Sequence, residues 1–406
     1  MTTFPEHLAA GVHEADVVVG IPSYNETETI DAVIGAAGAG LAAYFPNLRS
    51  VVLVSDGGSD DGTIEAAERA KVPSSVEKVV VVHPECAGKG AGLRVLFDAA
   101  KRLSAKACAT FDADLKNIEP DWVRQMIEPV LNDGFEYVAP YYKRHRYDAT
   151  ITNSICYPLI RALFGADIRQ PIGGDFAFSG DLARFFSECA DAAWNDDIAN
   201  FGIDIWMTTT AVAHGVKIGQ AALGAKVHTA KDPFRLKDMF TQVVATLFDT
   251  VRERRNTLKS IKGCADVEVL GTQSRCEPEP VMVSREMLRE DMSKGRTQYE
   301  DVWEDVLNEG RLMDIEEVFD MQDRLAFTPA LWTGVVYDFL RAYCLAGDRV
   351  RARELIDAMA PLYCAKVLSF VGETEHAADG EVAKLVEVQA EEFECRKSGL
   401  LDEISS

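Results

Sequence analysis

The sequence predicts an α/β protein with a mainly parallel central sheet, followed by a helical C-terminal subdomain. Three observations carry this prediction. Apolar strand-like runs alternate with helix-length segments over the first 255 residues. The periodicity lapses from about 256 to 285, and helical patterns dominate after it. The expected organisation is a sheet domain over 1–255, a connecting region over 256–285 and a helical subdomain over 286–406.

The strand-like runs are DVVVGI (16–21), VVLVSD (51–56), KVVVVH (78–83), ACATFDAD (107–114) and EYVAPY (136–141). Such nearly continuous apolar runs suit strands buried on both faces. Between them lie NETETIDAVIGAAGAGLAAYF, TIEAAERA, GKGAGLRVLFDAAKRL and PDWVRQMIEPVL, each of crossover-helix length. Further on, GVKIGQAALGAKVH reads as a short strand, and FGIDIWMTTTAVAHG as an apolar helix with Asp204 at its start. TPALWTGVVYDFLRAYCLAG (328–347) and RVRARELIDAMAPLYCAKVLSF (349–370) are the clearest late helices.

Composition narrows the function. The formal charge of -23 argues against wrapping nucleic acid or docking on an anionic membrane, while leaving room for a local basic pocket. The nine cysteines, Cys86 among them, show no CxxC spacing and read as reduced side chains of a cytoplasmic protein. The N-terminus lacks a signal peptide's pattern and no run of about 18 apolar residues occurs, so no integral membrane segment is expected.

Chemistry concentrates where strands end. After the second strand the chain opens into DGGSDDGT, and the carboxyl ends of strands in an open α/β sheet are where ligands bind. The plain alternative is a tight βα turn with Asp61 capping a helix. GKG (88–90) opens a helix and could turn its amides to a phosphate, although neither GxxxxGK[ST] nor GxGxxG is present. In FDADLK, Asp112 and Asp114 leave an apolar strand at i and i+2. Regular strand geometry would put both on one face, ready for one divalent cation; otherwise they are a solvated strand end. His228 could be a third ligand or an ordinary polar contact. IGGDFAFSG places Gly173 and Gly174 before Asp175, so that backbone could approach a sugar whose hydroxyls bond the acid. YYKRHRYDATITN is locally basic, with Lys143, Arg144, His145 and Arg146 in a row, suited to an anionic acceptor unless it is a solvated face.

The ordered set IPSYNE (21–26), SDGGSDDGT (55–63), GKG (88–90), DAD (112–114), GGDF (173–176), GID (202–204) and VH (227–228) resembles the GT-A nucleotide-sugar glycosyltransferases. The later segments are most similar to the retaining mannosylglycerate, glucosylglycerate and glucosyl-3-phosphoglycerate synthases. The resemblance covers roughly residues 16 to 255. It implies that Pro22, Ser23 and Glu26 line the nucleotide, that Asp56 reads the base edge, and that Lys89 helps hold base or pyrophosphate. Asp112 and Ala113 would sit by the ribose and metal, with Asp114 and His228 ligating Mg2+ or Mn2+. Asp204 would meet the sugar or acceptor, and Gly173, Gly174 and Asp175 would shape the sugar pocket. Thr152 would touch the acceptor, and Arg144 and Arg146 are candidates for its carboxylate on charge grounds.

The expected activity is a metal-dependent, retaining transfer of glucose or mannose from a UDP- or GDP-sugar to D-glycerate, giving an anionic compatible solute. 3-Phosphoglycerate is the second acceptor. Relatives that invert often carry an acid pair where this chain has GGDF, so Asp175 as the base of an inverting transfer to a lipid phosphate or polysaccharide is a rival. A nucleotidyltransferase and a nucleotide-sugar sensor are others. The aromatic stripe around Trp332 is either core or a partner face, and the helical half could support a homodimer.

Overall fold

In the computed structural model, which describes residues 13–405 apart from 85–86, 229–232, 273–275 and 321–325, the chain divides into two interleaved compact units. The first comprises 1–144, 169–231 and 267–279; the second comprises 145–168, 232–266 and 280–406. This division differs from the expected boundaries, because 145–168 and 232–266 pack with the late helices. Cys86 lies outside the described residues.

The strands in chain order are β1 (Val17–Ser23), β2 (Ser50–Asp56), β3 (Val76–Val82), β4 (Ala107–Thr110), β5 (Tyr137–Lys143), β6 (Ala166–Asp167), β7 (Phe176–Ser179), β8 (Ile218–Ala225), β9 (Ala265–Asp266) and β10 (Val269–Leu270). Eight of them form the sheet of the first unit in the order β10-β8-β5-β7-β4-β1-β2-β3. All five strands expected early are present, with β4 ending at Thr110, short of both aspartates. One strand departs from the expected pattern. β7, within the GGDFAFS segment, lies antiparallel between β4 and β5 while the other pairings in this sheet are parallel.

The first unit's helices are α1 (Ile30–Tyr44), α2 (Thr63–Arg69), α3 (Lys89–Leu103), α4 (Pro120–Asn132), α6 (Gly180–Ala193), α7 (Asp196–Ala199) and α8 (Ile203–His214). Val17, Val19 and Ile21 on one face of β1 bury against Val33, Ile34 and Ala37 of α1 and Met126 and Ile127 of α4. From β1 the chain runs outward through β2 and β3, then returns to place β4 on β1's other side. The reversal puts a crevice at the carboxyl ends of β1 and β4, the position where open α/β sheets bind ligands.

At the other end of β1, Asp16 accepts hydrogen bonds from the Arg49 amide (2.9 Å) and guanidinium, and pairs with Lys106 at 3.1 Å. Those Arg49 bonds, against the opposing pull of burial, lower its pKa from 3.8 to about 2. The folded state therefore prefers the carboxylate, and the stability Asp16 adds is present above pH 3.8 and lost as pH falls toward 2. D16N is expected to cost about 1–2 kcal/mol at pH 6, with the gap to wild type closing near pH 2 in acid-titrated thermal melts.

The second unit is built from α5, a helical segment running through Thr152–Cys156, Tyr157–Leu159 and Ile160–Phe164, with α9 (Pro233–Leu258), α10 (Arg285–Gln298), α11 (Glu300–Val306), α12 (Glu309–Asp320), α13 (Pro329–Leu345), α14 (Arg349–Thr374) and α15 (Asp379–Ile404). The short pair β6 and β9 joins it. α14 is long and apolar enough to cross a membrane, yet 78% of its apolar window is buried inside the protein, as in a core helix. The stripe around Trp332 is core as well: Trp332 is fully buried and its indole donates to the Ser154 carbonyl at 2.8 Å.

Candidate active site

The loop after β2 is organised by Asp56. Its Oδ1 accepts the amides of Gly58 (2.9 Å) and Ser59 (2.7 Å), and its Oδ2 accepts the hydroxyls of Ser23 (2.7 Å) and Ser59 (2.8 Å). Asp56 is fully buried, so these bonds fold the loop and tie it to β1. Gly58, at φ +87° and packed on Pro84, makes the reversal possible. The loop following β1 is zipped to the same segment: the Asn25 amide donates to Ser59 Oγ, the Glu26 amide to Thr63 Oγ1 and the Thr27 amide to Asp61. Pro22 and Ser23 at the end of β1, and Glu26 in the loop beyond it, thereby stand beside Asp56 and the loop it folds. The residue preceding α2 is Gly62, with Asp61 bonding the Thr63 amide across it.

In GKG, one of the three amides is not free for a phosphate. The Gly90 amide is spent on the Asn200 carbonyl at 3.2 Å. Lys89 instead points its ammonium at Asp112 Oδ1 (2.8 Å), Asp204 (3.0 Å) and the Gly174 carbonyl (3.1 Å). Burial works against the charge on Lys89, but Asp112 and Asp204 outweigh it and raise its pKa.

A second lysine, which sequence reasoning did not single out, completes the centre. Lys226, just past β8 and 5% exposed, donates to Asp112 Oδ2 (2.7 Å), Asp175 Oδ2 (2.9 Å) and the Gly173 carbonyl (2.9 Å). Burial opposes its charge, and Asp112 and Asp175 prevail, raising its pKa. Asp175 is fully buried; its Oδ1 takes the Asp112 amide at 2.7 Å, and its Oδ2 takes Lys226 and the Tyr142 hydroxyl at 2.6 Å. Gly174 sits at φ +94°, where a Cβ would stand 2.1 Å from Asp112 Oδ2 and 2.6 Å from Lys226 Nζ. Gly174→Ala is expected to push these tethered groups apart, costing about 1–3 kcal/mol in thermal unfolding and most of the turnover.

The two carboxylates of DAD part company. Because β4 ends before them, they do not share a strand face: Asp112 turns to the two lysines and Asp114 turns to His228. A clasp brings the latter pair together. Leu115 bridges to His228, the Lys116 amide donates to the Val227 carbonyl (2.9 Å), and Asn117 bonds both the Ala225 carbonyl and the Val227 amide. His228 Nδ1 then lies 3.7 Å from Asp114 Oδ2, and Asp114 Oδ1 is buried with no hydrogen-bond partner among the described residues. A buried orphan carboxylate oxygen beside an imidazole nitrogen suits a divalent cation. Among the described residues no group of three or more His, Cys, Asp or Glu side chains is placed to hold one, so these two would share it with a ligand's own oxygens. Ala113, between the aspartates, is buried and its carbonyl accepts the Thr29 hydroxyl at 2.7 Å.

The basic run divides. Lys143 pairs with Glu277. Arg146 belongs to the second unit, where it bonds the carbonyls of Thr374 (2.6 Å) and Ala377 (2.7 Å) and the Asp379 carboxylate, closing the turn between α14 and α15. That accounts for Arg146 as a structural residue rather than an acceptor grip. Arg144 stays with the first unit, close enough for its charge to act on Tyr142 and Lys226. Thr152 is buried at the start of α5 in the second unit.

Residues 18–171 match the sequence model of glycosyl transferase family 2. No curated protein matches the chain. Among solved structures it is similar to glucosyl-3-phosphoglycerate synthase from Mycobacterium tuberculosis. With Mn2+, uridine-diphosphate and phosphoglyceric acid, that protein is 25% identical with a TM-score of 0.45, covering 60% of this chain and 80% of that one. The complex with Mg2+ and uridine-diphosphate gives 24% and 0.45, covering 60% and 81%. The complex with Mn2+, uridine-diphosphate-glucose and phosphoglyceric acid gives 25% and 0.44, covering 60% and 81%. The chain has an α/β fold of the GT-A type with a mainly parallel sheet and a C-terminal helical part.

Proposed function

We propose that this chain is a metal-dependent glycosyltransferase that moves a hexose from a nucleotide diphosphate sugar to a small anionic hydroxy acid free in the cytoplasm, with retention at the anomeric carbon. One observation carries the reading. Past the carboxyl end of β4, Asp114 presents a buried carboxylate oxygen, without a hydrogen-bond partner among the described residues, beside His228 and next to a centre of two lysines and three aspartates. The family 2 match over 18–171 supports the transfer class.

Asp114 and His228 would hold Mg2+ or Mn2+, whose positive charge would offset the negative charge of a leaving diphosphate. The chain's own groups do the rest. Pro22 and Ser23 at the end of β1 and Glu26 just beyond it, beside the loop that Asp56 stabilises, would receive base and ribose. Lys89, held by Asp112, Asp204 and the Gly174 carbonyl, would place a positive charge on the donor side, and Asp204 would turn to a sugar hydroxyl as Lys89 turns to the donor. Asp175 is unsuited to serve as a base: it has no exposed surface and both its oxygens are engaged. Without a base there, attack comes from the leaving group's own face, and a diphosphate oxygen takes the acceptor's proton.

For the acceptor, a phosphoglycerate-type anion stands first and free D-glycerate second. Arg144 is the member of the basic run whose charge reaches the centre, and a phosphate offers its guanidinium a bidentate partner. The test is nucleotide release from UDP- and GDP-sugars with Mn2+ or Mg2+, with 3-phosphoglycerate or D-glycerate as acceptor. The reading expects nucleoside diphosphate release that depends on acceptor and is faster with 3-phosphoglycerate. Pyrophosphate release, or none with any pair, would overturn it.

A further inference from the structure

The second unit holds a pocket of about 50 Å³ whose wall includes Thr150, Ser154, Lys366, Phe370, Val386 and Gln389. At roughly 10–15 Å³ for each water-sized sphere, that holds about three to five such spheres, and because covalently bonded atoms sit closer than separate waters it suits a small molecule of about that many or slightly more heavy atoms. Much of the wall is hydrocarbon, from Val367, Phe370, Leu385 and Val386.

Two polar groups in the wall are more than nine-tenths buried and incompletely bonded. Lys366 is 8% exposed, and among the described residues its ammonium donates to the Phe327 carbonyl at 3.0 Å, one bond for three donors. Burial pulls its pKa down to about 8, with Glu373 opposing. Gln389 is 4% exposed. Its amide nitrogen donates to the Pro329 carbonyl (3.1 Å) and the Thr333 hydroxyl (3.0 Å), while its Oε1 is buried with no hydrogen-bond partner among the described residues. The neighbouring hydroxyls are already spent: Thr150 on Tyr363 and Ser154 on the Thr150 carbonyl. A desolvated ammonium calls for an anion, and an unmet amide oxygen calls for a donor.

We propose that this pocket binds a small monocarboxylate carrying a hydrogen-bond donor on the adjacent carbon, a 2-hydroxy or 2-amino acid. The carboxylate pairs with Lys366, the hydroxyl or ammonium donates to Gln389 Oε1, and a short aliphatic remainder lies on the hydrocarbon wall. Glu373, exposed at the wall and accepting from Ser369, adds negative charge that favours the amino form. Neither group belongs to the transfer centre, so the proposal stands apart from the function proposed above.

The test titrates the full chain by calorimetry with L-lactate, L-alanine and propionate at up to about 50 mM, a range that reaches millimolar affinities. Lactate or alanine is expected to bind, and the comparison between them identifies the donor. Propionate, lacking the donor, should bind about tenfold more weakly. Lys366→Met removes a desolvated charge at equal length, so it is expected to fold and melt no lower than wild type, with binding lost. Gln389→Met is expected to retain propionate binding and lose the preference for the donor-bearing acids. Asp114→Asn should bind as wild type, which separates this site from the transfer centre. Absence of binding by both donor-bearing acids, or unchanged binding in both K366M and Q389M, would overturn the proposal.

Discussion

Asp114→Asn is expected to leave the fold intact and to lower turnover by about 10²–10³-fold, the loss when several kcal/mol of cation-based charge stabilisation is withdrawn. The reason is specific to Asp114. Both oxygens of Asp112 already face lysine ammoniums, which compete with a cation for them, whereas Asp114 has a buried oxygen without a hydrogen-bond partner among the described residues. The variant should also bind nucleoside diphosphate more weakly than wild type in Mn2+ and equally in chelator. Calorimetric titration of the nucleotide under both conditions checks this. Equal affinity in Mn2+ with undiminished turnover would remove Asp114 from the site.

Lys226→Met should have the largest effect on stability. It strips the cation from between Asp112 and Asp175, and breaking a buried pair by removing one partner costs about 3–5 kcal/mol. At roughly 2–4 °C for each kcal/mol in a unit of this size, melting should fall by about 10 °C. Adding Asp175→Asn should restore part of the loss, since the stranded buried charge is then gone. Turnover should remain low in the double variant, because Gly173 and Asp112 have also lost their donor. A K226M protein that melts like wild type would show that the lysine does not hold the centre together.

The alternating architecture was legible because β1, β2 and β3 are apolar runs bounded by turn residues, and their helices carry crossover length. β7 was not legible as a strand: FAFS is four residues long and follows two glycines and an acid, so its antiparallel place between β4 and β5 depends on partners distant in sequence. The interleaving of the units was hidden for the same reason, since 145–168 and 232–266 carry no composition that marks them as belonging with the late helices.

In the site, Asp114 and His228 could be named from motif order, but the Asn117 clasp that joins them could not. Lys226 gave no signal at all, being a lone lysine at a strand end whose meaning comes from two aspartates on other segments. The DAD spacing misled on geometry because it assumed a strand that ends at Thr110. The KRHR run could not be divided by periodicity. Only the fold assigns Lys143 to Glu277 and Arg146 to the turn after α14, leaving Arg144 near the centre.

The anomeric configuration of the product tests the account most directly. With an α-linked nucleotide sugar, Mn2+ and 3-phosphoglycerate, the structure of the site predicts an α-linked product in the NMR spectrum, because Asp175 is enclosed and unavailable as a base. A β-linked product would contradict it, requiring a base on the opposite face of the sugar and an Asp175 released from Lys226 and Tyr142.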